Sequence, residues 1–414
     1  MVSFRIYMNR CTKISVGILA FLLLGASVVA QPGNVEDYGP VERKRMTEYG
    51  LEIISKLSKQ IHEDKKNVSL YKERATKFFR LIEVNFDNPS QDLYRDKYEA
   101  DLSRIIELEP TAENYIRRGG FLEHRLRISP VPQEITELYP KNEYFDRALD
   151  DLTKAISITS DSQERMTAYT YLSGLYIRRP RKLVSSPKLT EFRKKVDLEK
   201  VIEELENAIR SSQRALEESR ETSLGANLIS IYQESADIAA RLGLYETAFR
   251  FFESGGKYLG PWTPACSYLS AWGGLYLKLN EPKKAIDKFR SISLHRQSRC
   301  MELYENRGDV YVEMGEYDLA LLDYGEALSF DPNDPFRREG KVYIKRASLF
   351  FKMGKTEEAL NDLGKALEKK YIAECPQAYR IRSEVYLKLK KPDLAKRDEQ
   401  TAAKLKDKEN CSSE

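Results

Sequence analysis

The chain has 414 residues, 41% of them hydrophobic and 32% charged, with a formal net charge of +4. That length exceeds what one compact core holds, which leaves several globular domains or one array of repeats that contact only their neighbours. A charge so near balance gives no basis for nucleic-acid binding and fits a solvated helical surface laced with paired charges.

Residues 1–30 carry Arg5, Arg10 and Lys13 ahead of an apolar run from Ile14 to Leu24. Val28 and Ala30 then occupy the positions that a signal peptidase reads. This predicts a signal peptide over 1–30, cleaved after Ala30, and an exported chain, periplasmic or secreted. The rival is an uncleaved membrane anchor, since Ile14 to Ala30 is an uncharged stretch at the lower limit for spanning a bilayer. No cysteine follows the run where a bacterial lipoprotein is acylated. Without residues 1–30 the formal charge falls from +4 to +1.

Residues 31–67 read as a linker and an amino-terminal covering helix, with Met46, Tyr49, Ile53, Ile54, Leu57 and Ile61 near helical spacing. From residue 68 a pattern recurs. A tyrosine stands four residues before a small residue in Tyr71 and Ala75, Tyr115 and Gly119, Tyr169 and Ser173, Tyr232 and Ala236, Tyr304 and Gly308, Tyr343 and Ala347, Tyr379 and Ser383. Leu269 and Gly273 repeat it with leucine. Three residues beyond each small position comes Phe78, Leu122, Tyr176, Ala239, Tyr276, Tyr311, Phe350 or Tyr386, usually large, so each copy defines one helix face on which a neighbouring helix can approach closely. Over 68–220 the copies are divergent helical pairs with insertions between their helices: Asp87 to Leu93, Leu126 to Asn142, and Arg179 to Lys195 with Pro180 and Pro187. Over 221–406 the spacing is regular, and 407–414 is a polar tail.

From Met301 to Asp334 the pattern runs through a second helix: Gly308, Tyr311, Gly315, Tyr317, Ala320, Tyr324, Ala327 and Pro332. This stretch resembles the tetratricopeptide repeat, a helix-turn-helix unit, and the neighbouring copies look similar. The resemblance implies an all-α fold, a right-handed helical-hairpin solenoid. It also implies a non-catalytic scaffold or adaptor that holds an extended or helical segment of a partner protein in its concave groove. The tyrosines then serve packing rather than a ligand. In the family the first helix of each unit lines the groove, which here selects Glu234, Asp237, Glu302, Glu305, Asn306 and Asp309, then Lys341, Lys345, Lys352, Arg380 and Lys388. An acidic stretch is followed by a basic one, and a partner's acidic end is expected toward the carboxyl-terminal units. Some members clamp the carboxyl terminus of heat-shock chaperones. Asn306, Lys341 and Lys345 fall at positions of that clamp, but Ser270 and Gly274 stand where Lys and Asn are required, so the clamp is incomplete.

No enzyme, cofactor or metal is expected. His62, His124 and His295 stand in no paired zinc-ligand spacing, and no phosphate loop, nucleophile elbow, HExxH helix or paired CxxC is present. An alternative function is a membrane-tethered or anionic-surface-binding factor, using an uncleaved amino-terminal anchor and the basic loop 178–195; membrane contact is expected only if the amino-terminal segment is retained. Oligomeric state is open. Cys266 and Cys300 start successive first helices, and helices packed about 8 to 10 Å apart hold equivalent α-carbons slightly beyond disulfide range. Buried single cysteines are therefore favoured over a bridge. Cys375 and Cys411 are unassigned, and Asn67-Val68-Ser69 and Asn410-Cys411-Ser412 match glycan acceptors.

Overall fold

The computed structural model describes residues 39–85, 90–128, 142–219, 223–260, 265–291, 300–329, 339–368 and 375–405. The expectations for the signal segment, His295, Pro332, Asn410, Cys411 and the tail lie outside these residues.

Among the described residues the fold is all-α. One compact unit ends at Lys257. In it α1 (Pro40–Glu63) covers α2 (Val68–Val84), and the hairpins are α2 with α3 (Ser90–Leu108), α4 (Ala112–Ile128) with α5 (Glu143–Ile158), α6 (Ser162–Ser185) with α8 (Leu198–Glu218), and α9 (Ser223–Arg241) with α10 (Tyr245–Gly256). A short helix, α7 (Leu189–Lys195), lies between α6 and α8. A second unit begins at Tyr258. It stacks α11 (Ala265–Lys278) with α12 (Pro282–Arg290), α13 (Met301–Glu313) with α14 (Tyr317–Leu328), α15 (Glu339–Lys352) with α16 (Thr356–Leu367), and α17 (Pro376–Lys388) with α18 (Pro392–Lys404).

The small residues set the hairpin spacing. A Cβ at Gly308 would lie 2.7 Å from the Tyr324 ring, and one at Gly119 would lie 2.8 Å from Leu152. Ala75, Ala236 and Ala347 are fully buried at the same place, and the Ser383 hydroxyl donates to the Ala395 carbonyl at 3.0 Å. In α1 Ile54, Leu57 and Ile61 are buried as the spacing requires, whereas Tyr49 is 66% exposed and belongs to the outer face.

From α9 onward each hairpin turns the same way. Gly243, Asn280, Gly315, Gly354 and Lys390 all have φ between +55° and +81°. The next residue's N–H donates back to the carbonyl of Ala239, Tyr276, Tyr311, Phe350 or Tyr386 at 2.8 to 2.9 Å, the bond that satisfies an orphan helix-terminal carbonyl. This repeated turn explains why the sequence pattern is regular there and irregular before it. The unit boundary at Lys257 falls one hairpin later.

Two expectations are corrected. Residues 179–185 do not form a loop, because α6 runs through Pro180 to Ser185. A proline inside a helix forfeits a backbone hydrogen bond at a cost of about 3 kcal/mol. Burial of Leu183 and Val184 and the ion pairs of the neighbouring arginines offset it. Cys266 and Cys300 are joined in a disulfide, with α-carbons 5.6 Å apart. Cys300 is the N-cap of α13 and lies off the helical cylinder, so the interaxial distance does not set its approach to Cys266 in the first turn of α11. Cys375, the N-cap of α17, is buried and also disulfide-bonded.

Candidate protein-binding face

In five of the eight described hairpins the first helix is held to its second helix by a feature that the sequence reading passed over. Arg74, Arg118, Arg307, Arg346 and Arg382 follow the repeat tyrosine by three residues. Each makes two contacts of 2.6 to 3.0 Å with one carboxylate, respectively Asp101, Asp151, Asp323, Asp362 and Asp398. All of these aspartates are buried. Bidentate, charge-assisted pairs of this kind fix orientation as well as adding energy. At Arg307 and Arg382 the bond to aspartate outweighs burial and holds the guanidinium still further toward its charged form, whereas at Asp101 burial outweighs Arg74 and raises the carboxyl. The tyrosines have a second task beside packing, since the guanidinium of Arg307 sits 5.4 Å from the Tyr304 ring centroid and that of Arg382 5.4 Å from Tyr379. In α11 the arginine is replaced by Trp272, and Lys288 of α12 stacks 3.6 Å from its ring. A Tyr-x-x-Arg-small pattern with an aspartate on the next helix was the available signal.

With their inner sides committed to the second helices, the first helices of the second unit interact along another face. The Ser270 hydroxyl of α11 donates to Glu302 of α13 at 2.8 Å, and the Asn306 amide donates to Ser270 at 2.7 Å. Lys345 of α15 reaches both Glu305 and Asp309 of α13 at 2.5 Å. Burial lowers the Lys345 pKa, but the charges of Glu305 and Asp309 outweigh it and leave it raised. Tyr324 donates to Asp309 at 2.7 Å, and burial followed by the Asp309 charge raises its phenol. The structure therefore brings Glu302, Glu305, Asn306, Asp309 and Lys345 together as an internally bonded ladder. Lys341 is half-buried on α15, and Lys352, Arg380 and Lys388 are exposed. The chaperone-clamp positions Asn306 and Lys345 already have partners within the chain.

Glu234 and Asp237 lie on α9, in the unit that ends at Lys257. Glu234 is engaged by Arg181 through two contacts. The Asp237 residue is exposed, yet desolvation by the surrounding protein, followed by the Glu234 charge, pushes its carboxyl up to about 6.

The cations expected in a basic loop are largely consumed. Arg178 pairs with Glu123 of α4, Arg179 pairs with Glu204 of α8 and stacks on Phe145, and Arg181 pairs with Glu234 of α9. Burial raises the Glu123 carboxyl, but the charge and hydrogen bonds of Arg178 outweigh it and leave it below its ordinary value. Lys182 is buried, and desolvation together with Arg178 lowers it to about 8. Beside Glu123, burial and the Arg127 charge push the His124 imidazole down to about 4. Among the described residues, no helix is long and apolar enough to cross a membrane.

A tetratricopeptide repeat family model matches residues 301–334, and a second one matches 344–407. No curated protein matches the chain. Among solved structures it is similar to a crystal structure of MamA, at 18% identity over 42% of this chain and 95% of that one, with a TM-score of 0.35. It is also similar to MamA from Desulfovibrio magneticus RS-1, at 15% identity over 44% of this chain and 97% of that one, with a TM-score of 0.36.

Proposed function

Since this is a tetratricopeptide-repeat protein, we propose that it is a non-catalytic scaffold that holds an extended or helical segment of a partner protein. The observation that carries this reading is the face shared by α11, α13, α15 and α17. Their small and tyrosine positions are spent on the second helices, while Ser270, Glu302, Asn306 and Lys345 align on another side and Arg380 and Lys388 remain exposed beside them. A stack of helices that fixes its backbone through buried pairs presents such a face with little ordering cost on binding.

A photo-crosslinking residue at Ser348, an exposed first-helix position, is expected to capture a discrete partner. The same residue at Asn361, exposed on a second helix, is expected not to. Equal capture from both sites, or none from Ser348, would remove the reading. The Cys266–Cys300 bridge supports a second element of the proposal, that the chain works in an oxidising compartment after export. Amino-terminal sequencing of the mature chain is expected to begin at Gln31; a start at Met1 would exclude cleavage and leave the anchor.

A further inference from the structure

The cations on the shared face fall into two electrostatic classes. Lys345 is neutralised by Glu305 and Asp309. Lys352, Arg380 and Lys388, all exposed, pair with no carboxylate among the described residues. Two of them are held by aromatic rings instead. The Lys352 ammonium lies 4.8 Å from the Tyr317 ring centroid, and that of Lys388 lies 5.2 Å from Phe351.

Each lysine thus rests on an aromatic ring of the preceding repeat, at the same place in α15 and α17. A ring face attracts and orients an ammonium without cancelling its charge, so its remaining N–H groups stay available to an acceptor. Leu387, beside Lys388, is 55% exposed, and Phe351, beside Lys352, is only partly covered. The corresponding place in α13 is Glu313, so this arrangement begins at α15. Glu384 is also exposed on α17, and the three cations outnumber it.

Resting on the scaffold reading, we infer that the carboxyl-terminal end of this face receives an acidic segment of a partner protein with large apolar side chains interspersed. Carboxylates of that segment meet Lys352, Arg380 and Lys388, and its apolar side chains cover Leu387 and Phe351. Charge complementarity selects this occupant. A basic segment would face three unneutralised cations, and a purely apolar one would desolvate them without compensation. Lys341 and Lys345, which the sequence placed in the same basic stretch, are not required.

The test uses the full chain and a short fluorescein-labelled peptide that alternates Asp or Glu with Leu or Phe. Two companion peptides carry Lys or Ser in place of the acids. Anisotropy is expected to report binding of the acidic peptide alone, weakening as salt screens the charges. The triple variant K352E/R380E/K388E is expected to lose affinity by roughly tenfold or more. L387S is expected to weaken binding as well, and K396E, which reverses an exposed charge on α18, is expected to leave it unchanged. Preference for the basic or neutral peptide, or equal loss in K396E, would overturn the inference and leave the scaffold reading in place. If no peptide binds, the inference also falls. Capture from Ser348 then decides the scaffold reading separately.

Discussion

Replacing Asp362 by alanine isolates what the repeated arginine–aspartate pairs contribute. Arg346 donates to Asp362 through two contacts of 2.6 and 2.9 Å. The side chain of Asp362 is 2% exposed and that of Arg346 20%. Removing one member of a buried pair costs about 3 to 5 kcal/mol, because the other charge is left without a partner. Arg346 keeps some contact with water, so the lower end applies, about 3 kcal/mol. That corresponds to roughly 150-fold easier local opening. Amide hydrogen exchange in α15 and α16 of the full chain reads this directly, and it avoids assuming that a repeat protein unfolds in one step. Changing both Arg346 and Asp362 to leucine is expected to cost less than Asp362→Ala alone. Apolar replacement of a buried pair is often neutral, and Leu172 already fills the arginine position in α6. An exchange change below roughly threefold for Asp362→Ala, or a double variant as costly as both single changes summed, would refute the argument.

Breaking the Cys266–Cys300 bridge, which spans a sequence separation of 34, is expected to lower stability by up to about 4 kcal/mol. A thermal melt unchanged by reductant and by Cys266→Ser would deny it. Lys390 holds the positive φ that glycine holds in three of the equivalent turns. Lys390→Gly is expected to stabilise α17 and α18 by about 0.5 to 1 kcal/mol in the same exchange measurement. Glu204→Ala strands the buried Arg179 guanidinium and is expected to cost about 3 to 5 kcal/mol in amide exchange of α6 and α8; a loss under about 1 kcal/mol would mean the pair is dispensable. Because Asp237 binds its proton more tightly folded than unfolded, its contribution to stability declines as pH rises from about 4 to about 6. Asp237→Asn is therefore expected to be the more stable protein at pH 7, with the advantage vanishing below pH 4.

Helical spacing made the hairpins legible, because Gly308 and Tyr324, or Gly119 and Leu152, can meet only if two helices pack there. The amino-terminal insertions were less legible. Pro180 reads locally as a break, and the pairing of Arg178 and Arg179 that carries α6 past it depends on Glu123 and Glu204, far along the chain. The disulfide was missed for a geometric reason, since Cys300 sits at a helix cap. Within the candidate face, residue types and positions were visible, but pairing was not. Nothing local separates Lys345, held by two carboxylates, from Lys352, held by a ring.

The arginines of α6 reach three different helices, α4, α8 and α9. Arg178 and Arg181 reach the hairpins on either side, and Arg179 reaches the second helix of its own, so these charges tie three consecutive hairpins together through nearest neighbours. Excising α4 and α5, or α9 and α10, would strand a guanidinium whose counter-ion left with the deleted segment. Shortening the array at either junction therefore carries a penalty that a junction without such a pair escapes.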